Sequence, residues 1–346
     1  MKKLKIMVIF GGKSGEHDVS LMSSASVMKT MNKEKYEIMP IGITKDGRWK
    51  KYLGNVEYID PKNWLNETED YNINELFLDK DSRGIDLVFP VLHGPFGEDG
   101  TIQGLLEMAD IPYVGTGVLS SALAMDKVVA KMMLKSVNIP QAEFAVVFRS
   151  DFIKDESKVL DELENKFGYP MFVKPANLGS SVGISKAKNR EGLIAAIKEA
   201  GSFDRKIVVE EFIDGREIEC SVLGNENPKT SLPAEVVPAQ EFYNYEDKYI
   251  DGKSELIVPA KLEENMINSV RELAVEVYKL YDCRGLSRVD FFLERNTNRL
   301  LVNEVNTMPG FTSISMYPKM WEATGLAYGD LIDQLIELAL DFAKNK

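Results

Sequence analysis

Two apolar runs joined by a polar turn constrain the fold of this chain more than any other stretch. The first run reads SRVDFFL and the second reads LLVNEVN. Alternate side chains of a strand share a face, so Arg288 points with Asp290, and Glu304 points with Asn306. A turn centred near Thr297 predicts an antiparallel hairpin with Asp290 opposite Glu304 and Arg288 near Asn306.

Apolar residues surround both polar pairs, which predicts strands that are buried on both faces. The alternative is a hairpin with one solvated face, since charged side chains are mostly exposed. Buried carboxylates need cations, and three oxygen donors beside one guanidinium suit magnesium. The turn that follows carries Gly310, whose backbone can approach a ligand closely and whose amide can bind an anionic oxygen.

Size and charge limit the classes of function. A chain of 346 residues can form two or three domains. Its 42 basic and 54 acidic side chains give a net charge of −12, which argues against general binding to nucleic acid or to an anionic membrane. The first apolar run, residues 6–10, ends at two glycines and is too short for an export segment. No run approaches membrane-spanning length, and Cys220 and Cys283 lack zinc-like spacing, so we expect a cytoplasmic protein with reduced thiols.

The order of predicted elements indicates an α/β domain followed by two α+β units. Residues 1–115 form the first domain, predicted to be parallel, with strands over 5–10, 37–43 and 87–92 and helices over 19–31 and 102–109. Residues 116–213 form the central unit, with helices over 126–136 and 191–200 and strands over 171–173 and 207–211. Residues 214–346 form the last unit, with a strand over 217–223, a helix over 263–280, the hairpin and a helix over 328–345. A long irregular segment, 240–253, has the length of a lid.

Two lysines of the central unit are candidates for phosphate binding. Lys174 ends a short strand and precedes a loop rich in glycine and serine, whose amides could fold over phosphates. The spacing is not that of a Walker motif, and such loops also occur in ordinary turns. Lys127 by itself is typical of a solvated helix lysine.

Acidic residues at the junction of the last two units are candidates for nucleotide recognition. Glu210 could accept a hydrogen bond from an adenine amino group while the neighbouring backbone reads the ring edge. The alternative is a strand end with exposed acids. Glu217 follows at a spacing that could reach ribose hydroxyls, although it could equally face solvent.

Polar loops near the start of the chain are candidates for ligand contacts. Glu16 precedes a helix, where the macrodipole favours acids without any function, but a buried carboxylate there could also hold a ligand ammonium. His93 begins a second polar loop after the carboxyl end of a strand. With only two histidines in the chain, histidine catalysis has few candidates.

Together these motifs resemble the D-alanine–D-alanine ligase family of ATP-grasp enzymes over nearly the whole chain. The resemblance rests on the segments 11–20, 93–100, 125–127, 173–175, 179–183, 242–249, 288–290 and 304–315. It implies an ATP-grasp fold behind an N-terminal α/β domain, with ATP bound between the last two units. The family also implies a homodimer.

The resemblance implies roles for the metal and nucleotide residues. Two magnesium ions, with manganese as an alternative, would be held by Asp290, Glu304 and Asn306, with Glu304 bridging. Phosphates would contact Lys127, Lys174 and Ser181. Adenine and ribose would contact Glu210, Glu211, Ile213 and Glu217. Leu178 departs from the family pattern, because many relatives have an acid there.

The resemblance also implies the reaction, which joins two D-alanines for peptidoglycan precursor synthesis. One D-alanine carboxylate takes the γ-phosphoryl group, and the amine of the second attacks the resulting acyl phosphate. Arg288 and the Gly310 amide would stabilise the oxyanion. The remaining substrate contacts would come from Glu16, Ser180 and Tyr249 as a hydrogen-bonded triad, and from His93, Lys248, Ser315 and Met316.

The second substrate can be argued from two positions. Tyr249 favours an amine nucleophile, since lactate-using relatives replace it. Met316 favours alanine, since serine-using relatives carry a basic residue there and methionine would leave a hydroxyl unpaired. Other segments, such as 41–44 and 287–290, resemble the serine-using subgroup. The alternatives are a D-alanine–D-serine or D-lactate ligase, or a nucleotide-binding regulator without turnover.

Overall fold

The N-terminal region is built on a mixed five-stranded sheet. The computed structural model describes residues 3–179, 182–237, 254–312 and 314–346. The strands are β1 (Leu4–Gly11), β2 (Tyr36–Ile43), β3 (Trp49–Tyr52), β4 (Thr68–Asp70) and β5 (Leu87–Pro90), in the order β4-β3-β2-β1-β5. β1 runs parallel to β2 and β5, as predicted. The sequence did not predict β3 and β4, which add an antiparallel edge to the sheet. The turn from Ile43 to Trp49 is too short for a parallel crossover.

Two further sheets follow along the chain. A four-stranded sheet has the order β6-β9-β7-β8 and consists of β6 (Phe144–Phe148), β7 (Met171–Pro175), β8 (Ser185–Ala187) and β9 (Lys206–Glu211). The last sheet has the order β13-β12-β10-β14-β15, with β11 paired to β10. Its strands are β10 (Gly215–Gly224), β11 (Lys229–Thr230), β12 (Ala234–Val237), β13 (Glu255–Ile257), β14 (Gly285–Glu294) and β15 (Leu300–Asn306). The domain boundaries stay predictions.

Helices cover these sheets. They are α1 (His17–Thr30), α2 (Lys80–Arg83), α3 (Thr101–Met108), α4 (Val118–Met125), α5 (Lys127–Ser136), α6 (Arg149–Lys154), α7 (Glu156–Phe167), α8 (Arg190–Phe203), α9 (Glu264–Leu280), α10 (Met316–Ala323) and α11 (Tyr328–Asn345). The sequence did not predict α2, α4, α6, α7 or α10. Short or uniformly apolar segments such as α4 show too little of the helical period to be recognised. Among the described residues, no helix has the length and apolar character needed to span a membrane.

The last helix joins the C-terminal region to the N-terminal sheet. Leu331, Ile332, Leu335 and Ile336 are buried on one face of α11 and share a hydrophobic cluster with Phe89 of β5. Their spacing is that of an amphipathic helix, which explains why the sequence predicted this helix over the same residues. The packing holds the two ends of the chain against each other, so loops from both can line one cavity.

The hairpin of β14 and β15 has the predicted register. Arg288 pairs with Asn306 and Asp290 with Glu304. Every residue in these two strands is buried or partly buried, so the alternative of a solvated face is wrong. A β-bulge follows Asp290, and it leaves Asn303 without an opposing residue. Bulges redirect side chains and are common beside active sites.

Candidate active site

One cavity of about 440 Å³ collects loops from the N-terminal region, the start of α5, the end of β15 and the start of α10. Among the residues that line it are the sequence-predicted Glu16, His93, Lys127, Arg288, Glu304, Asn306, Gly310, Ser315 and Met316. Lys174, Glu210, Glu211, Ile213, Glu217 and Asp290 are not in this lining. Ser180, Ser181, Lys248, Tyr249 and the predicted lid 240–253 lie outside the described residues.

Arg288 lies between two carboxylates at the floor of the cavity. Its Nε and Nη2 each donate to Asp290 at 2.7 Å, and Nε lies 3.2 Å from Glu219 Oε2. Burial alone would lower the pKa of Arg288, but Asp290 and Glu219 together raise it well above its ordinary value. The guanidinium is therefore a fixed positive charge facing the cavity. Glu219 is buried, with only 6% of the residue exposed.

The oxygen donors of the hairpin fit a hard divalent cation. Asn306 donates its Nδ2 to Asp290 at 2.9 Å, so its amide oxygen remains as a possible ligand. Glu304 is opposite Asp290 and its side chain is 32% exposed towards the cavity. Among the described residues no group of three His, Cys, Asp or Glu side chains could hold a metal ion by itself. Two carboxylates and an amide suit magnesium.

A buried cluster of two lysines and one glutamate lies beside the cavity. Glu210 Oε2 is 2.7 Å from Lys174 Nζ, and Glu210 Oε1 is 3.0 Å from Lys131 Nζ. Burial alone would raise the pKa of Glu210, but the two ammonium groups lower it to about 2. The sequence missed Lys131, although its position one turn after Lys127 on α5 was a usable signal.

The other predicted nucleotide contacts surround this cluster. Lys127 Nζ donates to the Leu178 carbonyl at 2.6 Å and lies 3.9 Å from Glu304. Glu211 accepts a hydrogen bond from the Glu143 amide at 2.8 Å. Glu217 and Ile213 are partly buried. Their contacts with nucleotide, and that of Glu210 with adenine, stay predictions.

Glu16 lies where two glycine loops meet. A Cβ on Gly94 would lie 2.5 Å from Glu16 Oε2, and one on Gly179 would lie 2.9 Å from it. Only glycine lets both backbones come this close to the carboxylate. Gly179 is part of the predicted phosphate loop, so Glu16 connects the N-terminal region to that loop.

His93 and two residues that the sequence missed hold the loop from Met308 to Phe311. His93 Nδ1 lies 3.0 Å from the Met308 carbonyl, and its Nε2 lies 3.0 Å from Ser23 Oγ. A carbonyl can only accept, so Nδ1 carries the proton and Nε2 accepts from the serine. Ser23 Oγ in turn accepts from the Phe311 amide at 3.3 Å, and Glu98 accepts from the Met308 amide at 2.9 Å. Burial lowers the pKa of His93, which favours this neutral ring.

Gly310 packs against the start of α10. A Cβ at this position would lie 2.8 Å from Ser315 Oγ, so a side chain would displace the serine. Ser315 Oγ accepts from the Thr312 amide at 3.0 Å and precedes the first residue of α10. Met316 is 6% exposed and shares an apolar cluster with Val236. The positive end of the helix dipole therefore faces the cavity beside an apolar wall.

Glu98 gives a prediction about pH and stability. Its carboxylate also accepts from the Gly94 amide at 2.8 Å, and burial, followed by the charge of Glu16, raises its pKa to about 8 from an ordinary value of 4.5. Between these two pH values the folded protein holds a proton that the unfolded chain has released. The free energy of unfolding therefore falls as pH rises through this window.

We expect Glu98→Gln to remove this part of the pH dependence. Chemical denaturation at a series of pH values from 4.5 to 8 would show a shallower decline for the variant than for the wild type. Parallel curves for the two proteins would contradict the raised pKa.

A four-stranded sheet that carries the buried Lys174, followed by a sheet that carries the acidic hairpin, is the arrangement of an ATP-grasp enzyme. Two family models match, one described as D-ala D-ala ligase N-terminus over residues 5–116 and one as D-ala D-ala ligase C-terminus over residues 133–337. The chain belongs to the D-alanine–D-alanine ligase family.

Curated relatives and solved structures agree with this assignment. The chain is 51% identical to a D-alanine–D-alanine ligase of Caldicellulosiruptor bescii, over 100% of this chain and 98% of the relative. It is 50% identical to one of Clostridium novyi, over 99% of each. Among solved structures, the VanG D-Ala:D-Ser ligase from Enterococcus faecalis matches with a TM-score of 0.87 at 38% identity, over 98% of this chain and 100% of that one. The D-alanine-D-alanine ligase from Coxiella burnetii matches with a TM-score of 0.86 at 37% identity, over 99% and 97%.

Proposed function

We propose that this enzyme joins two D-alanines to D-alanyl-D-alanine, with ATP converted to ADP and phosphate, for peptidoglycan precursor synthesis. The observation that carries the proposal is the single cavity that brings Glu16, Lys127, Arg288, Glu304 and Gly310 together from distant parts of the chain. Full-length relatives that are about half identical carry this activity in their names.

Lys127, Glu304 and Asn306 line the cavity and form its proposed phosphate side, whereas the buried Lys174 and Asp290 do not line it. Lys127 and Lys174 place positive charge on one side, and Asp290, Glu304 and Asn306 would hold magnesium on the other. Bound magnesium would neutralise charge on the phosphate oxygens. Two magnesium ions, with manganese as an alternative, would be held by these three residues, and this is part of the proposal.

Glu16 and the Gly310 loop bind and orient the reacting groups. The buried Glu16 carboxylate suits the ammonium group of the first D-alanine. Arg288 and the Gly310 amide both line the cavity, where they can stabilise the oxyanion that forms when the second amine attacks. The backbone of this loop is held in place by His93, Ser23 and Glu98. These three side chains form hydrogen bonds with backbone amides and a carbonyl of the loop.

The start of α10 fits the second D-alanine. Its helix dipole and Ser315 favour a carboxylate, and the buried Met316 offers an apolar surface to a methyl group. A D-serine hydroxyl beside Met316 would lose hydrogen bonds. Lys319, one turn later on α10, is a basic residue that also lines the cavity. Together with the structural match to the VanG D-Ala:D-Ser ligase, it makes D-serine the second candidate for the acceptor substrate.

A steady-state assay tests the proposed function. ADP release should depend on D-alanine, and D-alanine should support higher turnover than D-serine or D-lactate as the second substrate. Higher turnover with D-serine would reassign the acceptor and leave the mechanism in place. If ADP release does not depend on any of these substrates, the protein is instead a nucleotide-binding regulator without turnover. A homodimer in the cytoplasm completes the proposal, and light scattering of the purified protein tests its dimeric state.

A further inference from the structure

Lys131 is a buried cation that the proposed mechanism does not use. It is 3% exposed, lies on α5 one turn after Lys127, and does not line the cavity. Its Nζ lies 3.0 Å from Glu210 Oε1 and 5.7 Å from the centre of the Phe144 ring. Burying an ammonium group is costly, so a lysine at this position requires an explanation.

The Glu210 carboxylate forms ion pairs with two lysines. One oxygen faces Lys131 and the other faces Lys174, at 3.0 and 2.7 Å. Because the carboxylate carries one negative charge and the two lysines carry two positive charges, the cluster has a net charge of +1. Glu210 is the carboxylate in direct contact with both lysines, while Glu304 acts electrostatically on both and Glu217 acts on Lys174.

We propose that Lys131 is a positioning residue for nucleotide binding: by sharing Glu210, it keeps Lys174 only partly neutralised and available to a nucleotide phosphate. Without Lys131, Glu210 and Lys174 form a closed pair with no net charge. Such a neutral ion pair attracts a polyphosphate less than the three-residue cluster does. It also holds the Lys174 ammonium more firmly against Glu210. This inference rests on the proposed function, because it takes Lys174 as a phosphate contact.

The first test replaces Lys131 by methionine, which keeps the length and apolar stem of the side chain. We expect Lys131→Met to raise the KM for ATP and the Kd for Mg·ATP by about 10-fold, with the KM values for D-alanine changed by less than about twofold. Lys135→Met is the matched control. Lys135 lies one turn further on α5, is exposed, and has its Nζ 5.9 Å from the same Phe144 ring.

A second variant separates charge balance from packing. Lys131→Met combined with Glu210→Gln restores a net charge of +1 on Lys174 and keeps an acceptor oxygen at position 210. We expect it to bind Mg·ATP about fivefold more tightly than the single variant, as a coupling between the two sites. Calorimetric binding of Mg·ATP gives this result without any turnover.

The outcomes separate this inference from the proposed function. If the wild-type protein shows no D-alanine-dependent ADP release, the proposed function is wrong. Mg·ATP binding would still test the proposed role of Lys131 in nucleotide binding. An active wild type with an unchanged KM for ATP in Lys131→Met overturns the inference alone. Equal losses for ATP and D-alanine with a lower unfolding temperature also overturn it, since packing alone would produce them. If the single variant does not fold, a folded double variant that fails to bind Mg·ATP overturns it.

Discussion

Glu304→Gln is expected to lower kcat by about 1,000-fold or more while the protein stays folded. The change removes one negative charge from the oxygen donors of the hairpin and keeps the shape of the side chain. Glu304 is opposite Asp290, faces the cavity and lies 3.9 Å from Lys127, so its charge acts where metal and phosphate are proposed to meet. ADP release at saturating D-alanine measures the loss, and a magnesium titration should show that a higher magnesium concentration is needed for half-maximal activity.

Glu294→Gln is the matched control for this variant. Glu294 is the last residue of β14, at the turn end of the same hairpin; it is partly buried and pairs with Arg299 at 3.0 Å. The control should keep nearly full activity, because Glu294 does not line the cavity. Turnover close to wild type in Glu304→Gln would refute the metal assignment, whereas loss of the cooperative unfolding transition would show a structural role.

Arg288→Lys is expected to lower kcat by about 100-fold with much smaller effects on KM. Lysine keeps the positive charge between Asp290 and Glu219 but cannot donate two parallel hydrogen bonds as the guanidinium does. An interaction made mainly with the oxyanion of the transition state affects kcat rather than substrate binding. Steady-state kinetics with ATP and D-alanine varied separately would measure both effects.

Arg216→Lys is the control for the second prediction. Arg216 lies on β10 of the same sheet and donates to both oxygens of Glu235 at 2.7 and 2.6 Å, but it does not line the cavity. This control measures how much kcat falls when a bidentate arginine–glutamate pair outside the cavity is lost. Equal losses of kcat in the two variants would assign the effect of Arg288 to stability.

The hairpin and the last helix could be predicted because their signals are local. The register of Asp290 with Glu304 follows from a period of two residues and the position of the turn. The buried face of α11 follows from the helical spacing of its apolar residues. Neither inference needs to know where the rest of the chain lies.

Lys131, Glu98 and Ser23 could not be assigned from the sequence, because each acts through a distant partner. Lys131 pairs with Glu210 on another element, Glu98 accepts from the Met308 amide, and Ser23 accepts from the Phe311 amide. A lysine in a helix and an acid or serine near a helix look alike in sequence whether they face solvent or another loop.

The sequence by itself predicted the strands that carry the acids and Arg288, two lysines as phosphate contacts, and Gly310 as a point of close backbone approach. These follow from residue type and spacing over a few residues. Only the tertiary structure decided which charges are shared. Glu210 is divided between Lys131 and Lys174, and Arg288 between Asp290 and Glu219. Such sharing depends on which side chains are buried together, and burial is a property of the packed molecule.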